Sequence, residues 1–294
     1  MAEDWFPIFD GHIHFSQAYL DQVLESWALY GVTGGIDLWF NSGSWYGDYG
    51  LDFAEMLTML KERKATRFVQ FYWPNWREFG WRPRQCVERL CADMRRYDAL
   101  GARGLKVWKD LGMSIIHPDG KPATMDEPAL EPVWKTAAEL HWTIAIHQAD
   151  PTPKTGSFEA RTRTGFSREE LFERRDRVIA AHPEIRFILC HNCNDIESVA
   201  RWAEVFERFP NCMSDVGRDP LAYDKLADVQ AFFEKYAERI LMGSDMGMPD
   251  HRPPDDPWTL ENIYRPWRQR IRSWNLSPRA FELITTGNGE REFL

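Results

Sequence analysis

Eight short β-type runs alternate with amphipathic helical stretches along nearly the whole chain, and this alternation constrains the fold more than any other feature. The runs begin near Ile8, Gly35, Phe68, Gly104, Thr143, Arg186, Cys212 and Ile240. Between them lie helical candidates at Gln17 to Tyr30, Leu51 to Lys64, Pro83 to Leu100, Glu127 to Leu140, Ser167 to Ala181, Asp195 to Phe209 and Lys225 to Tyr236. Ser167 with Glu170 three residues on reads as a capping box. Strands that alternate with crossover helices pair in parallel. Eight such units predict a closed (β/α)8 TIM barrel, an α/β fold, spanning residues 1–294 as a single domain.

In such a barrel the loops that follow the strands share one rim, and that rim carries the chemistry. Here those loops are long and rich in Gly, Pro and aromatics, at 41–50, 74–82, 150–166 and 246–257. Tryptophan is abundant, at 14 residues, which suggests an aromatic-lined cavity as well as a core. Trp39, Trp73 and Trp108 fall at or just beyond strand ends and are candidates for a wall against a flat substrate.

Composition removes several function classes. A net charge of −9 disfavours nucleic acid as a partner, because phosphate binding needs clustered Lys and Arg. No apolar run approaches the ~18 residues of a membrane span. The acidic start Met1 to Trp5 lacks the basic and apolar regions of a secretory signal, so a cytoplasmic location is expected. An odd number of cysteines, five, in a chain of this size fits a reducing compartment rather than a disulfide framework. Cys190 and Cys193 form a Cys-x-x-Cys without the second pair or helix start that a zinc or redox site would need.

The chemistry-bearing residues stand at strand ends. Asp10-Gly11-His12-Ile13-His14 places two imidazoles on one strand face, where they can address one metal ion. His147, His191 and Asp245 end the fifth, sixth and eighth runs. In a closed barrel all five converge on one point, and a small-molecule substrate would meet them there. His117, His141 and His182 are expected at the solvent-exposed surface, and His251 lies in the loop after the eighth strand.

This set, with the tail Gly287-Asn288-Gly289-Glu290-Arg291-Glu292-Phe293, resembles the amidohydrolase superfamily, and in detail its second amidohydrolase family of aromatic-acid decarboxylases and lactonases. The resemblance implies that His12, His14 and His147 bind one divalent metal, zinc first and manganese second, with Asp245 as a further ligand or proton carrier. It implies that His191 stands beside the metal and polarises the substrate. Asp245 would then serve as general base and His191 as oxyanion partner. In binuclear relatives a carboxylated lysine bridges two ions, so Lys106 is a conditional ligand and a second ion follows only if it is modified. Members of the family often pair, so a homodimer is an expectation.

Arg218, just beyond strand seven, and Arg161 and Arg163, in the loop after strand five, are candidates for a substrate carboxylate. Hydrolysis and non-oxidative decarboxylation both fit this machinery. The superfamily's history and the conditional Lys106 bridge favour a hydrolase acting on a carboxylated lactone, ester or amide through metal-activated water. A decarboxylase (a lyase) of an aromatic or enamine acid is the alternative. A catalytically silent barrel that binds a small molecule is the third reading, and the complete ligand set argues against it.

Overall fold

In the computed structural model, which describes residues 5–14, 20–38, 52–149, 163–195, 198–217, 220–247 and 260–294, the predicted barrel is present. Strands β1 (Ile8–His14), β2 (Val32–Leu38), β3 (Phe68–Tyr72), β4 (Gly104–Val107), β5 (Thr143–Ile146), β6 (Phe187–Leu189), β7 (Cys212–Asp215) and β8 (Ile240–Leu241) lie side by side in chain order. Every neighbouring pair is parallel. Such strands are covered on both faces, and β1, β4 and β5 are buried at every position.

The eighth strand differs from its sequence reading. It is not one run from Ile240 to Asp245: the backbone leaves the ladder after Leu241 and resumes as β9 (Met246–Gly247), which pairs in parallel with β1. Asp245, at φ +53°, lies in the left-handed region and turns the chain at this break. Gly11 N–H donates to the Met242 carbonyl at 2.6 Å and Asp245 N–H to the His12 carbonyl at 2.9 Å, so first and last strands meet across the break.

Phe9, Ile36, Leu38, Val69, Phe71, Ala145, Ile188, Cys190, Met213 and Leu241 fill the barrel interior. Phe293 from the chain's last helix, Asn288–Phe293, packs against them, its ring 6.5 Å from Phe9 and 6.0 Å from Phe71. Gly289 permits this approach, because a Cβ there would lie 2.0 Å from the Phe9 ring. A larger apolar layer separates strands from helices and takes in Trp27, Trp76, Trp134, Trp142, Trp202 and Trp267.

Local signals set the helix ends. Pro83–Leu100 starts on its proline and ends on Gly101, whose φ of +112° suits only glycine at little cost. Arg168–Ala181 has the predicted capping box, with Ser167 and Glu170 bonded reciprocally. The helices Phe53–Glu62, Val199–Arg208 and Val229–Tyr236 are shorter than their sequence windows, and Glu131–Glu139 is preceded by a 3-10 turn at Pro128–Leu130. Among the described residues no helix is long and apolar enough to cross a membrane.

Candidate metal centre

The alternation of β1 brings His12 and His14 to the same end of the barrel, and the left-handed backbone at Asp245 turns its carboxylate toward both. Asp245 Oδ1 lies 3.2 Å from His12 Nε2 and 3.4 Å from His14 Nε2. Tetrahedral donors about 2.0–2.1 Å from a zinc ion sit about 3.3 Å apart, so these separations fit a shared divalent cation. The His12 and His14 side chains are 1% and 5% exposed and Asp245 is 26% exposed, so the carboxylate is the one accessible from the rim.

The electrostatics suit cation binding. Burial pushes the His12 imidazole well below its usual range, and the nearby Lys106 charge pushes it further the same way. His191 is likewise held neutral by burial, against the pull of Asp245. Burial opposes ionisation of Asp245, but His191, His12 and His14 together hold its carboxyl well below the ordinary value. Neutral imidazoles beside an ionised carboxylate are the forms a divalent metal binds.

His191 stacks on His12, with ring centroids 4.6 Å apart and an interplanar angle of 25°. Its Nε2 is 3.8 Å from Asp245 Oδ2. Neither ring nitrogen of this buried residue has a hydrogen bond among the described residues, as expected of a group aimed at a ligand. His147 lies beyond it, its ring 4.8 Å from that of His191 and 4.6 Å from Trp108. His12, His14 and Asp245 form one donor group and His12, His191 and Asp215 another; His147 belongs to neither.

Asp215, at the end of β7, is a site residue that the sequence reading passed over. Its Oδ2 accepts from His12 Nδ1 at 2.9 Å, while Oδ1 accepts the His191 and Gly217 N–H groups at 3.0 Å each. A carboxylate behind a histidine fixes the tautomer so that Nε2 carries the lone pair toward the metal. Leu38 supplies the equivalent acceptor for His14, its carbonyl 2.5 Å from Nδ1. The available signal was position: Asp215 ends its strand as His147 and His191 end theirs.

Asp10 does not join the donor groups. Its Oδ1 accepts the His12 and Ser244 N–H groups at 3.1 and 2.9 Å and its Oδ2 accepts the Tyr264 hydroxyl at 2.6 Å, tying β1 to the β8–β9 break. Lys106 is fully buried in the barrel, with Nζ 3.0 Å from Cys190 Sγ. Burial raises the Cys190 thiol to about 12, and that of Cys193 likewise.

His191 opens an unusual piece of backbone. His191, Asn192, Cys193 and Asn194 all have φ between +52° and +62°, a left-handed turn of four non-glycine residues. Each such residue costs roughly 1–2 kcal/mol, less for asparagine. Strain of this kind persists only where surrounding bonds over-determine it.

Trp73 and Trp108 flank the histidines, with centroids 4.7 Å apart and Trp73 6.1 Å from His14. Trp76 is not at the site; it is buried and donates to the Lys106 carbonyl at 3.0 Å. Arg163 has an exposed side chain and is anchored by its backbone N–H to the Met113 carbonyl at 2.7 Å. Trp39, Arg161, Arg218 and His251 lie outside the described residues. Two histidines expected at the surface are not there: His182 is 5% exposed, and His117 is half-buried between the Gly80 carbonyl and Glu127.

The family model described as Amidohydrolase matches residues 9–293, and the chain belongs to that family. The family is one of metal-dependent enzymes, and the solved structures to which this chain is similar include both decarboxylases and hydrolases. No curated protein matches the chain. Among solved structures it is similar to a 2,6-dihydroxybenzoate decarboxylase from Rhizobium, at 17% identity over 97% of this chain and 99% of that one, with a TM-score of 0.61. A dihydroxybenzoic acid decarboxylase from Polaromonas, with bound manganese and the inhibitor 2-nitroresorcinol, gives 17% identity, 97% coverage of each chain and 0.60. A probable 2-pyrone-4,6-dicarboxylic acid hydrolase from Acinetobacter baumannii, with citric acid bound, gives 12%, 97% and 98% coverage, and 0.58. At these identities the likeness establishes the fold.

Proposed function

We propose that this protein is a metal-dependent decarboxylase of a planar hydroxylated aromatic or enolic carboxylic acid. The observation that carries the reading is the join between a one-cation donor set and an aromatic slab: His14, grouped with His12 and Asp245, has its ring 6.1 Å from that of Trp73, and Trp108 stacks edge-on to His147. The decarboxylases named above support it. The hydrolase reading drew in part on a conditional Lys106 bridge, and the Lys106 Nζ contact with the Cys190 thiol at 3.0 Å lends that bridge no support.

His12, His14 and Asp245 would hold the cation. When bound, it would supply Lewis acidity toward substrate oxygens. Trp73 and Trp108 would stack on the flat ring and exclude water from it. The His191 imidazole, neutral and with neither ring nitrogen hydrogen-bonded among the described residues, is available to donate or accept at the carboxylate. Asp245, the most accessible member of the group, would pass to the ring carbon a proton drawn from solvent as carbon dioxide leaves.

Hydrolysis of a carboxylated lactone is the second reading, supported by the pyrone dicarboxylic acid hydrolase likeness. The test is product analysis of Mn²⁺- or Zn²⁺-loaded protein on hydroxybenzoates and carboxylated lactones. Carbon dioxide release without incorporation of labelled water oxygen is expected. Ring opening with water oxygen in the product would overturn the proposal.

A further inference from the structure

The left-handed turn from His191 to Asn194 is held at nearly every backbone polar group. Asp215 takes the His191 N–H, and Ser214 Oγ takes the Cys193 N–H at 3.2 Å. The Asn194 N–H returns to the Cys190 carbonyl at 2.8 Å, and its side-chain oxygen accepts the Gln148 N–H at 2.9 Å. Two guanidinium groups from helix Arg168–Ala181 hold the carbonyls. Arg168 Nη2 donates to the Asn194 carbonyl at 3.1 Å and Arg175 Nη1 to the Cys193 carbonyl at 2.8 Å.

Arg175 is outside both donor groups and only 2% exposed. Its Nε and Nη2 both donate to Asp176 Oδ1, at 3.0 and 2.8 Å, and its guanidinium lies 4.7 Å from the centre of the Phe172 ring. Asp176 is anchored in turn by Arg208 at 3.2 Å. A planar fork can bond a carboxylate and a carbonyl at once in a fixed plane, which an ammonium on a flexible stem cannot.

We propose that Arg175, locked by Asp176 and Phe172, is the positioning residue for His191: by gripping the Cys193 carbonyl it holds the left-handed turn, and the turn holds the imidazole stacked on His12 and facing Asp245. The proposal rests on the reading of this site as the reaction centre. Among the described residues Arg175 bonds Asp176 and the Cys193 carbonyl and packs on Phe172, none of which belongs to the donor groups, so it acts through the turn. A change of handedness at Asn192 or Cys193 would swing His191 away while leaving His12, His14 and Asp245 in place.

The test compares Arg175→Met and Arg175→Lys with the full-length wild type, using Arg177→Gln, on the same helix but paired with Asp126, as control. Amide exchange is measured on metal-free protein, and kcat and KM per bound Mn²⁺ on an acid that the wild type turns over. In Arg175→Met, exchange across 190–195 should quicken about tenfold or more while strands β4 and β5 keep wild-type protection. Its kcat should fall roughly ten- to hundredfold, the usual effect of losing an outer-shell partner, with KM within about a factor of two. Arg175→Lys should recover part of both.

Uniform loss of protection over the whole barrel would make Arg175 merely structural and overturn the proposal. Local loosening with unchanged kcat would overturn it equally. If the wild type turns over none of the compounds offered, the proposed function falls. The exchange pattern of Arg175→Met then decides on its own whether this residue holds the turn.

Discussion

Replacing Asp215 by asparagine tests the metal centre at its least obvious member. The substitution is isosteric, and the asparagine Oδ1 can still accept the His191 and Gly217 N–H groups that Asp215 Oδ1 accepts at 3.0 Å. What changes is Oδ2, 2.9 Å from His12 Nδ1, which becomes an NH₂ donor. His12 must then present a lone pair at Nδ1, which moves its proton to Nε2, the nitrogen facing Asp245. A protonated Nε2 cannot bind a cation. Loss of an outer-shell carboxylate of this kind costs about ten- to a hundredfold in metal affinity, or about 1.4–2.7 kcal/mol. The metal-free fold should hold within about 1 kcal/mol of wild type, because burial already keeps the Asp215 carboxyl above its ordinary pKa and a neutral amide suits that environment. Calorimetric titration of Mn²⁺ or Zn²⁺ into chelator-stripped protein, with a parallel thermal melt, measures both. Unchanged affinity in a folded variant would show that His12 does not bind through Nε2, and the reading of the centre would fail.

Three further outcomes follow from the same geometry. Asp245→Asn should fold normally and lose about 10²–10⁴ in kcat, the range for a missing acid–base group; activity within a factor of a few would remove Asp245 from proton transfer. Lys106→Met should leave metal content at one ion per chain by elemental analysis, and a fall from two ions to one would restore the bridging lysine. Burial raises the Asp10 carboxyl to about 6 from 3.8, so the folded state keeps its proton longer than the unfolded chain and loses stability from this group as pH rises between those values. Asp10→Asn lacks that loss, so in chelator its stability relative to wild type should climb from pH 4 to 7 by up to about 3 kcal/mol; a flat difference would contradict the raised value.

Much of the barrel was legible because parallel strands covered on both sides must be apolar throughout, which makes them visible as short uninterrupted runs. Seven of the eight expected starts fall on or within one residue of an observed strand start, as at Ile8 and Phe68, while the second strand begins at Val32, three residues before its expected Gly35. His12, His14 and Asp245 were legible for the same reason, as polar residues that terminate such runs. Asp215 ends its strand in the same way, but an acid before a loop is common, and only the contact with His12 distinguishes it. The break in the eighth strand and the turn after the sixth depend on backbone handedness. Gly243-Ser244 and the asparagines at 192 and 194 were the only local hints, since asparagine tolerates the left-handed region best among side chains with a Cβ. The inward direction of Lys106 followed from strand alternation, whereas its thiol neighbour came from a strand far along the chain.

The interrupted final strand ties assembly of the centre to completion of folding. His12 is presented by the first strand, and Asp245 sits in the gap where the last one hands its pairing back to the first. These are among the most distant contacts in sequence that the molecule makes, and pairings of that separation carry the largest closure entropy and form late. A nascent or partly unfolded chain therefore offers histidines without their carboxylate, and at the proposed centre tight capture of a cation would wait until the first and last strands have paired.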